Sequence, residues 1–195
     1  EIFGAEQLLM NRATNEDIFR RTVDLINDFK AYFTRHGEGL SDNPSPGNIA
    51  GGITTLEEKS LGAVQKGGHV PVVDVKLYGE QADRPGLTLL EAPGNDAVSS
   101  TALTAAGATM ILFTTGRGTP LGFPAPTIKI ASNSELARRK KNWIDFDAGQ
   151  VLATGFDKAS DDLLAKICAV ASGEETAAER NGEHDIAIWK TGVTL

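Results

Sequence analysis

Apolar residues recur at every third or fourth position between residues 15 and 36, which predicts a long amphipathic helix. Thr14 and Asp17 have the spacing of an N-terminal cap, and Gly37 is a suitable stop. The chain is therefore expected to start with a helical segment. The positions that share one face of this helix are Ile18, Thr22, Leu25, Ile26, Phe29 and Phe33.

A glycine- and proline-rich stretch, HGEGLSDNPSPGNIAGGI (36–53), follows that helix. Loops of this length are uncommon in compact domains, and most are functional or act as linkers. Two overlapping capping boxes, Thr54-x-x-Glu57 and Thr55-x-x-Glu58, then predict the start of a second helix. A glycine-rich loop that runs into a helix N-terminus favours an anion site, whereas two glutamates at that place favour a plain cap or a cation site. Both interpretations remain open from the sequence.

From residue 70 onward, short apolar runs alternate with helix-like segments, which argues for an α/β fold. We expect a Rossmann-like, mostly parallel sheet flanked by helices over residues 70–195, preceded by a small helical segment over residues 1–69, as two domains or as one compact unit. The predicted strands are 72–75, 87–92, 109–115, 126–131 and an edge strand at 186–190. The predicted helices are 97–108, one that starts with the capping box Ser132-x-x-Glu135, 145–153 and 159–172.

Composition restricts the class of partner. The chain has 195 residues, with 19 basic and 26 acidic side chains, so its formal net charge is −7, which argues against nucleic acid or an anionic membrane. The longest apolar stretch is well short of the ~20 residues of a membrane helix, and residues 1–15 resemble no signal peptide. A single cysteine, Cys168, excludes an internal disulfide, and its helix face predicts a small core residue. We therefore expect a globular, cytoplasmic protein.

Polar residues gather where three predicted strands end, namely in PGND (93–96), GRGT (116–119) and SNS (132–134). Ligands of open parallel sheets bind beyond these carboxyl ends. The loops offer carboxylate, amide, hydroxyl and backbone N–H groups, which suits a small, oxygen-rich anion. Arg117 is the best carboxylate clamp, because a guanidinium binds a carboxylate through two parallel hydrogen bonds. The alternatives are that Asp96 only caps the next helix and that Arg117 is a solvated loop residue.

Common nucleotide motifs are absent from the chain. The segment GRGTPLG (116–122) lacks the G-x-G-x-x-G spacing, and the prolines that follow it prevent the helix that a dinucleotide site requires. No G-x-x-x-x-G-K-[ST] motif occurs either. An NAD enzyme and a P-loop enzyme are therefore disfavoured.

Four long motifs carry a family resemblance: NPSPGN (43–48), GGITTLEEKSLGAVQKGG (51–68), APGNDAVSSTALTAAGAT (92–109) and ILFTTGRGTPLGFPAPTIKIASN (111–133). With them the chain closely resembles the galactarate dehydratase/altronate dehydratase family over nearly its whole length. It resembles the carboxyl-terminal part of family members, which carry a further amino-terminal domain. The start at Glu1, without Met, fits a piece cut from such a longer chain.

The resemblance implies a lyase that removes water from a sugar acid and forms a 2-keto-3-deoxy product. The motifs taken together favour galactarate over altronate as the substrate. The alternatives are a related hydroxyacid lyase and a non-catalytic substrate-binding or dimerisation domain. The resemblance further implies a divalent metal, Fe²⁺ in particular, a homodimer, and a partnership with the amino-terminal part of the same enzyme. Family members often have Cys where this chain has Ala63.

The implied reaction needs a base, a carboxylate clamp and stabilisation of an enediolate. Arg117 would hold the carboxylate, and the start of the second predicted helix holds both a potential base and a potential metal ligand; the sequence does not choose the base. The catalytic candidates are Lys59, Glu58 and Arg117; the substrate-binding candidates are Asn48, Asn95, Asp96, Thr115, Gly116, Gly118 and Thr119; the metal candidates are Glu57 and Asp96.

Overall fold

A computed structural model describes residues 2–39 and 44–192 of the chain. The chain divides into two compact units, one formed by Glu1–Asn95 with Trp189–Leu195 and the other by Asp96–Ile188. Helices and parallel strands occur in both, which confirms the α/β class. The strands form two small sheets instead of the single sheet expected, and the division falls after Asn95 instead of before residue 70.

The first unit consists of four helices and two parallel strands within the described residues. Its longest helix begins after Asn15, whose side-chain oxygen accepts a hydrogen bond from the Ile18 N–H at 2.9 Å. Asn15 therefore caps this helix in place of the predicted Thr14. The elements are α1 (Glu6–Met10), α2 (Glu16–Arg35), α3 (Pro46–Ala50), α4 (Leu56–Gln65), β1 (Val72–Lys76) and β2 (Leu87–Leu90).

The core of the first unit is formed by the apolar face of α2 and its neighbours. Ile18 and Leu25 are buried in one cluster with Leu9, Val64 and Val72. The predicted helix face is therefore confirmed in its first half. Its second half joins an aromatic cluster in which the Phe29 ring lies 5.3 Å from Phe33 and 5.8 Å from Trp189, between ring centres.

A buried carboxylate links α2 to β1. Asp74 accepts a hydrogen bond from the Arg21 guanidinium at 3.0 Å and lies 3.1 Å from the Lys76 ammonium, which also pairs with Asp83. Burial raises the pKa of the Asp74 carboxyl. Hydrogen bonds from Lys76 and the Val75 N–H, together with the charges of Lys76 and Arg21, lower it by more, so that the pKa lies below its usual range. The folded first unit therefore favours the ionised form of Asp74.

The second unit is built on a parallel sheet with the strand order β3-β4-β5. The central strand, β4, is buried at all five positions and pairs with β3 from Ile111↔Thr127 to Thr115↔Ala131. A continuous apolar run is typical of such a strand. The elements are α5 (Asp96–Ala105), β3 (Ile111–Thr115), β4 (Thr127–Ala131), α6 (Ser134–Arg139), β5 (Phe146–Asp147), a 3₁₀ turn (Ala148–Gln150), α7 (Val151–Thr154), α8 (Phe156–Ala171) and α9 (Ala177–Arg180).

Three predictions for the chain after Asn95 were wrong. The segment 145–153 contains the short strand β5 before it turns helical, and α6 is capped by Asn133 instead of Ser132. Residues 186–190 form no strand, because the backbone N–H of Ala187 donates to the Thr101 hydroxyl instead of to a neighbouring strand.

Two further sequence expectations concern single features. Cys168 is exposed, so it is not the small core residue that its position on α8 predicted. Among the described residues, no helix combines the length and the apolar character that a membrane crossing requires.

Candidate functional site

The loop between β3 and β4 begins with a tight, glycine-dependent turn. The Gly118 N–H donates to the Thr115 hydroxyl oxygen at 2.8 Å, and the Gly118 carbonyl oxygen accepts from the Lys140 ammonium at 3.1 Å. Gly118 has a φ of +75°, in the left-handed region. A Cβ at this position would lie 2.8 Å from Cδ of Lys140 and 3.1 Å from Leu136. The turn therefore requires glycine for its backbone and for its packing.

The second half of the same loop is held at two further points. The Lys129 ammonium donates to the Pro120 carbonyl oxygen at 2.5 Å, and the Asp185 N–H donates to the Gly122 carbonyl oxygen at 2.8 Å. A Cβ at Gly122 would lie 2.3 Å from the carbonyl oxygen of Glu183. The whole loop is thus fixed by its neighbours in the second unit.

Arg117 is exposed and lies within this fixed loop. Its neighbours Thr115 and Gly118 are joined by the hydrogen bond of the turn, and Thr119 accepts from the Leu121 N–H at 3.3 Å. Gly116 is exposed and has open space apart from the Ser132 hydroxyl, 3.6 Å from a Cβ built there. The backbone that carries the guanidinium is therefore already ordered, which reduces the entropy that anion binding would cost.

Lys129 is a residue that sequence reasoning missed. It lies in the centre of β4 with no exposed surface, and burial lowers the pKa of its ammonium while the charges of Asp145 and Glu183 oppose this effect. Asp145 also accepts from the backbone N–H of Lys129 at 2.9 Å and from that of Ala177 at 2.7 Å. A lysine inside the apolar run PTIKIA was the available signal.

The start of α4 holds the predicted pair of glutamates. Thr55 is the N-cap, and its hydroxyl accepts from the Glu58 N–H at 3.1 Å, which confirms the predicted cap. The Glu58 carboxylate accepts from the N–H of Thr54 at 2.7 Å and from its hydroxyl at 2.8 Å, and these two bonds hold the pKa of Glu58 below its usual range. Glu57 is exposed and Lys59 half-buried.

Asn48 lies in α3, inside the stretch predicted as a structureless loop. Its side-chain oxygen accepts from the Ser45 N–H at 3.2 Å and from the Ser45 hydroxyl at 2.9 Å, which forms a capping box. Asn48 therefore stabilises a short helix with the atom that would otherwise accept from a ligand. The segment 40–43 of the predicted loop lies outside the described residues.

The loop after β2 ends at the border between the units. Pro93 is buried, Asn95 is half-buried and Asp96 is exposed. The helix α5 starts with Asp96 itself, one residue earlier than predicted, so Asp96 is the first helical residue and not the cap before it. Asn95 belongs to the first unit and Asp96 to the second.

Residues 1–194 match the family described as D-galactarate/Altronate dehydratase, C-terminal. The chain belongs to this family. Altronate dehydratase of Escherichia coli (strain K12) is 55% identical over 196 residues, and that of Bacillus subtilis (strain 168) is 52% identical over 197; in each case the match covers 100% of this chain and 40% of the relative. Galactarate dehydratase (L-threo-forming) of Escherichia coli is 37% identical over 190 residues, which is 95% of this chain and 36% of the relative. The chain thus spans about two fifths of the altronate dehydratases it matches.

The dehydratase family resemblance led us to expect a metal site. Across residues 2–39 and 44–192, no three His, Cys, Asp or Glu side chains group closely enough to hold a metal ion. Glu57 belongs to the first unit and Asp96 to the second. The described residues therefore do not fit a metal centre with three such ligands, and the expected metal stays a prediction, as does the homodimer.

The described structure thus brings part of the predicted set together in each of the two units. In the second unit, Thr115, Gly116, Arg117, Gly118 and Thr119 form one ordered loop. In the first, Glu57, Glu58 and Lys59 occupy the first turn of α4.

Proposed function

We propose that this chain is the carboxyl-terminal part of a hydro-lyase that removes water from altronate, with galactarate as the second candidate substrate. The observation that carries the proposal is the family match over residues 1–194. The sequence motifs favoured galactarate, but the identities of 55% and 52% to altronate dehydratases exceed the 37% to galactarate dehydratase. The higher identity to the altronate dehydratases therefore supports altronate as the first candidate substrate.

In this reaction a base removes the proton from the carbon next to the carboxylate. Hydroxide leaves from the adjacent carbon and takes up a proton, so that one water is released. The remaining enol becomes the 2-keto-3-deoxy acid. Negative charge grows on the carboxylate end in the transition state, so a cation held there accelerates the step.

Arg117 is our proposed carboxylate clamp. Its support is the loop around it, which is anchored through Gly118, Pro120 and Gly122. An exposed guanidinium on a fixed backbone can meet a carboxylate with two hydrogen bonds. The groups proposed to bind the substrate hydroxyls are Asn48, Asn95, Asp96, Thr115, Gly116, Gly118 and Thr119.

We propose Lys59 as the base and Glu58 as the residue that fixes the start of α4 around it. The support is that the Glu58 carboxylate already accepts two hydrogen bonds from Thr54, and its lowered pKa makes it a weak proton acceptor. Lys59 follows directly in the same helical turn.

We also propose that the complete enzyme depends on Fe²⁺. Because the described residues do not supply three ligands, we assign no step to the metal. Removal of metal with a chelator is expected to abolish turnover of altronate, and addition of Fe²⁺ to restore it. Full activity in chelator would overturn the metal dependence alone.

The decisive experiment uses the complete enzyme with altronate and galactarate. Wild-type enzyme is expected to form one molecule of 2-keto-3-deoxy acid from each molecule of sugar acid consumed, with a higher kcat/KM for altronate than for galactarate. Arg117→Ala is expected to lower kcat/KM roughly 100-fold, the value of a charge-assisted pair. Arg20→Ala, at an exposed position of α2, is the control. Wild-type turnover by Arg117→Ala would reject the clamp.

A second candidate is a domain that binds the sugar acid without taking part in chemistry. The observation that favours it is that the chain covers 40% of the altronate dehydratases. In that case Arg117→Ala and Lys59→Met would raise KM and leave kcat unchanged. A fall of kcat in Lys59→Met supports the catalytic proposal instead.

A further inference from the structure

A concave surface that encloses a pocket of about 370 Å³ lies at the end of α6 in the second unit. It combines four consecutive cations in a chain whose net charge is −7. The overall negative balance concealed this local excess of positive charge in the sequence. The lining residues are Arg138, Arg139, Lys140, Lys141, Asn142 and Trp143.

Lys140 joins this concave surface to the loop of Arg117. Its ammonium donates to the Gly118 carbonyl oxygen at 3.1 Å and lies 4.6 Å from the centre of the Trp143 ring. Consecutive Cα atoms are ~3.8 Å apart, so the backbone of Arg117 lies directly beside this contact. The basic surface and Arg117 therefore share one neighbourhood of the second unit.

The exposed cations of this surface are poorly neutralised by the protein. Arg139 has Glu135 at 3.8 Å, whereas Arg138 and Lys141 have no carboxylate within 4.0 Å in the part of the chain that the structure describes. The negative end of the α6 dipole accounts for cations in its last turn, but Lys141 lies beyond that turn. Like charges around a concave surface repel one another, and a bound anion removes this repulsion.

We propose that this concave surface is an anion-binding site that captures the carboxylate of the incoming sugar acid beside the Arg117 loop. The inference rests on the proposed function, because it takes the sugar acid as the ligand. Its volume is at the lower end of the range for small-molecule sites. The positive potential raises the local concentration of anions, and salt weakens this effect.

The test compares two double variants of the complete enzyme that remove the same charge. R138Q/K141Q changes the basic surface, and R20Q/K158Q removes two exposed cations of α2 and α8. At an ionic strength of ~10 mM, R138Q/K141Q is expected to raise the KM for altronate roughly fivefold or more and to leave kcat within about twofold. At ~300 mM the difference from wild type is expected to shrink, because the Debye length falls. The control is expected to keep the wild-type KM.

An unchanged KM in R138Q/K141Q, or an equal rise in the control, would overturn the anion site. A lower Tm of R138Q/K141Q with an unchanged KM would also overturn it, because the cations would then only stabilise α6. If wild-type enzyme turns over no sugar acid, the proposed function fails, and calorimetric titration with altronate decides on the site separately. Weaker binding by R138Q/K141Q than by R20Q/K158Q then supports the site, and equal binding rejects it.

Discussion

The Lys129 ammonium nitrogen lies 2.5 Å from the Pro120 carbonyl oxygen and donates a hydrogen bond to it. This bond connects the centre of β4 with the loop that carries Arg117. Most buried lysines are paired with a carboxylate, whereas the Lys129 ammonium donates to a backbone carbonyl oxygen of the loop. A side chain with no exposed surface thus anchors the backbone of the loop that carries the exposed Arg117.

Replacement of this lysine should loosen the loop. Lys129→Met keeps most of the volume but leaves the Pro120 carbonyl unpaired, at a cost of about 1–3 kcal/mol. Hydrogen exchange of the amides in residues 116–123 is expected to accelerate roughly tenfold, since 1.4 kcal/mol corresponds to that factor. Lys158→Met, at an exposed position of α8, should leave this exchange unchanged. Unchanged protection in Lys129→Met would contradict the anchoring role.

Three glycines of the same loop should respond differently to alanine. Gly116→Ala is expected to be tolerated, because its Cβ meets only the Ser132 hydroxyl, at 3.6 Å. Gly118→Ala is expected to lose about 1–2 kcal/mol of unfolding free energy, because alanine disfavours the left-handed backbone at this position. Gly122→Ala is expected to lose about 3 kcal/mol or more, because the backbone of Glu183 must move to make room for the Cβ. Urea unfolding of the three variants measures this order. Equal stability of Gly116→Ala and Gly122→Ala would show that the close approach at Gly122 does not exist.

Asp74 should make the first unit sensitive to acid. Its folded-state pKa lies below the usual 3.8, so its stabilising contribution is complete above that pH and is lost as the pH falls through the lower folded-state value. Asp74→Asn is expected to lose about 1–3 kcal/mol of unfolding free energy at pH 7, and this deficit should shrink below pH ~4. Glu135→Gln, at an exposed pair with Arg139 that does not involve Arg21 or Lys76, is the control and should change little. A deficit that is constant between pH 3 and pH 7 would argue against an ionised Asp74.

Glu58 and Lys59 can be separated by conservative changes. Glu58→Gln keeps an oxygen that accepts from Thr54, so its Tm is expected to match wild type, whereas Glu58→Ala should lower the Tm. Lys59→Met is expected to reduce kcat roughly 100-fold or more as the loss of a general base. The reverse result, a collapse of kcat in Glu58→Gln at unchanged Tm, would assign the base to Glu58.

The sequence was most informative where a single periodic pattern determines the structure. The apolar spacing over residues 15–36 predicted α2, and two continuous apolar runs predicted β3 and β4. The helix α2 and the strand β4 bury their apolar side chains, so the local pattern suffices for them; β3 buries only Ile111 and was found from its run of β-forming residues. The short strand β5 could not be found in this way, because two residues show no period and its pairing comes from Ile130 and Ala131 far away in the chain.

The candidate site was only partly predictable for the same reason. Arg117 was visible as a cation between glycines, and the cap at Thr55 and Glu58 was visible from its spacing. The anchors of the loop were not visible, because Lys129 and Lys140 reach it from other elements. Such contacts depend on the tertiary fold and leave no spacing rule in the sequence.

The place of Trp189 in the chain has a consequence for biosynthesis. Its indole packs 5.1 Å from the Tyr32 ring and 5.4 Å from the Tyr78 ring, between centres, yet it follows all of residues 96–188 in the chain. A translating ribosome therefore releases the complete second unit before it releases the side chain that completes this aromatic cluster. The aromatic cluster of the first unit therefore cannot be complete until all of the second unit has been synthesised.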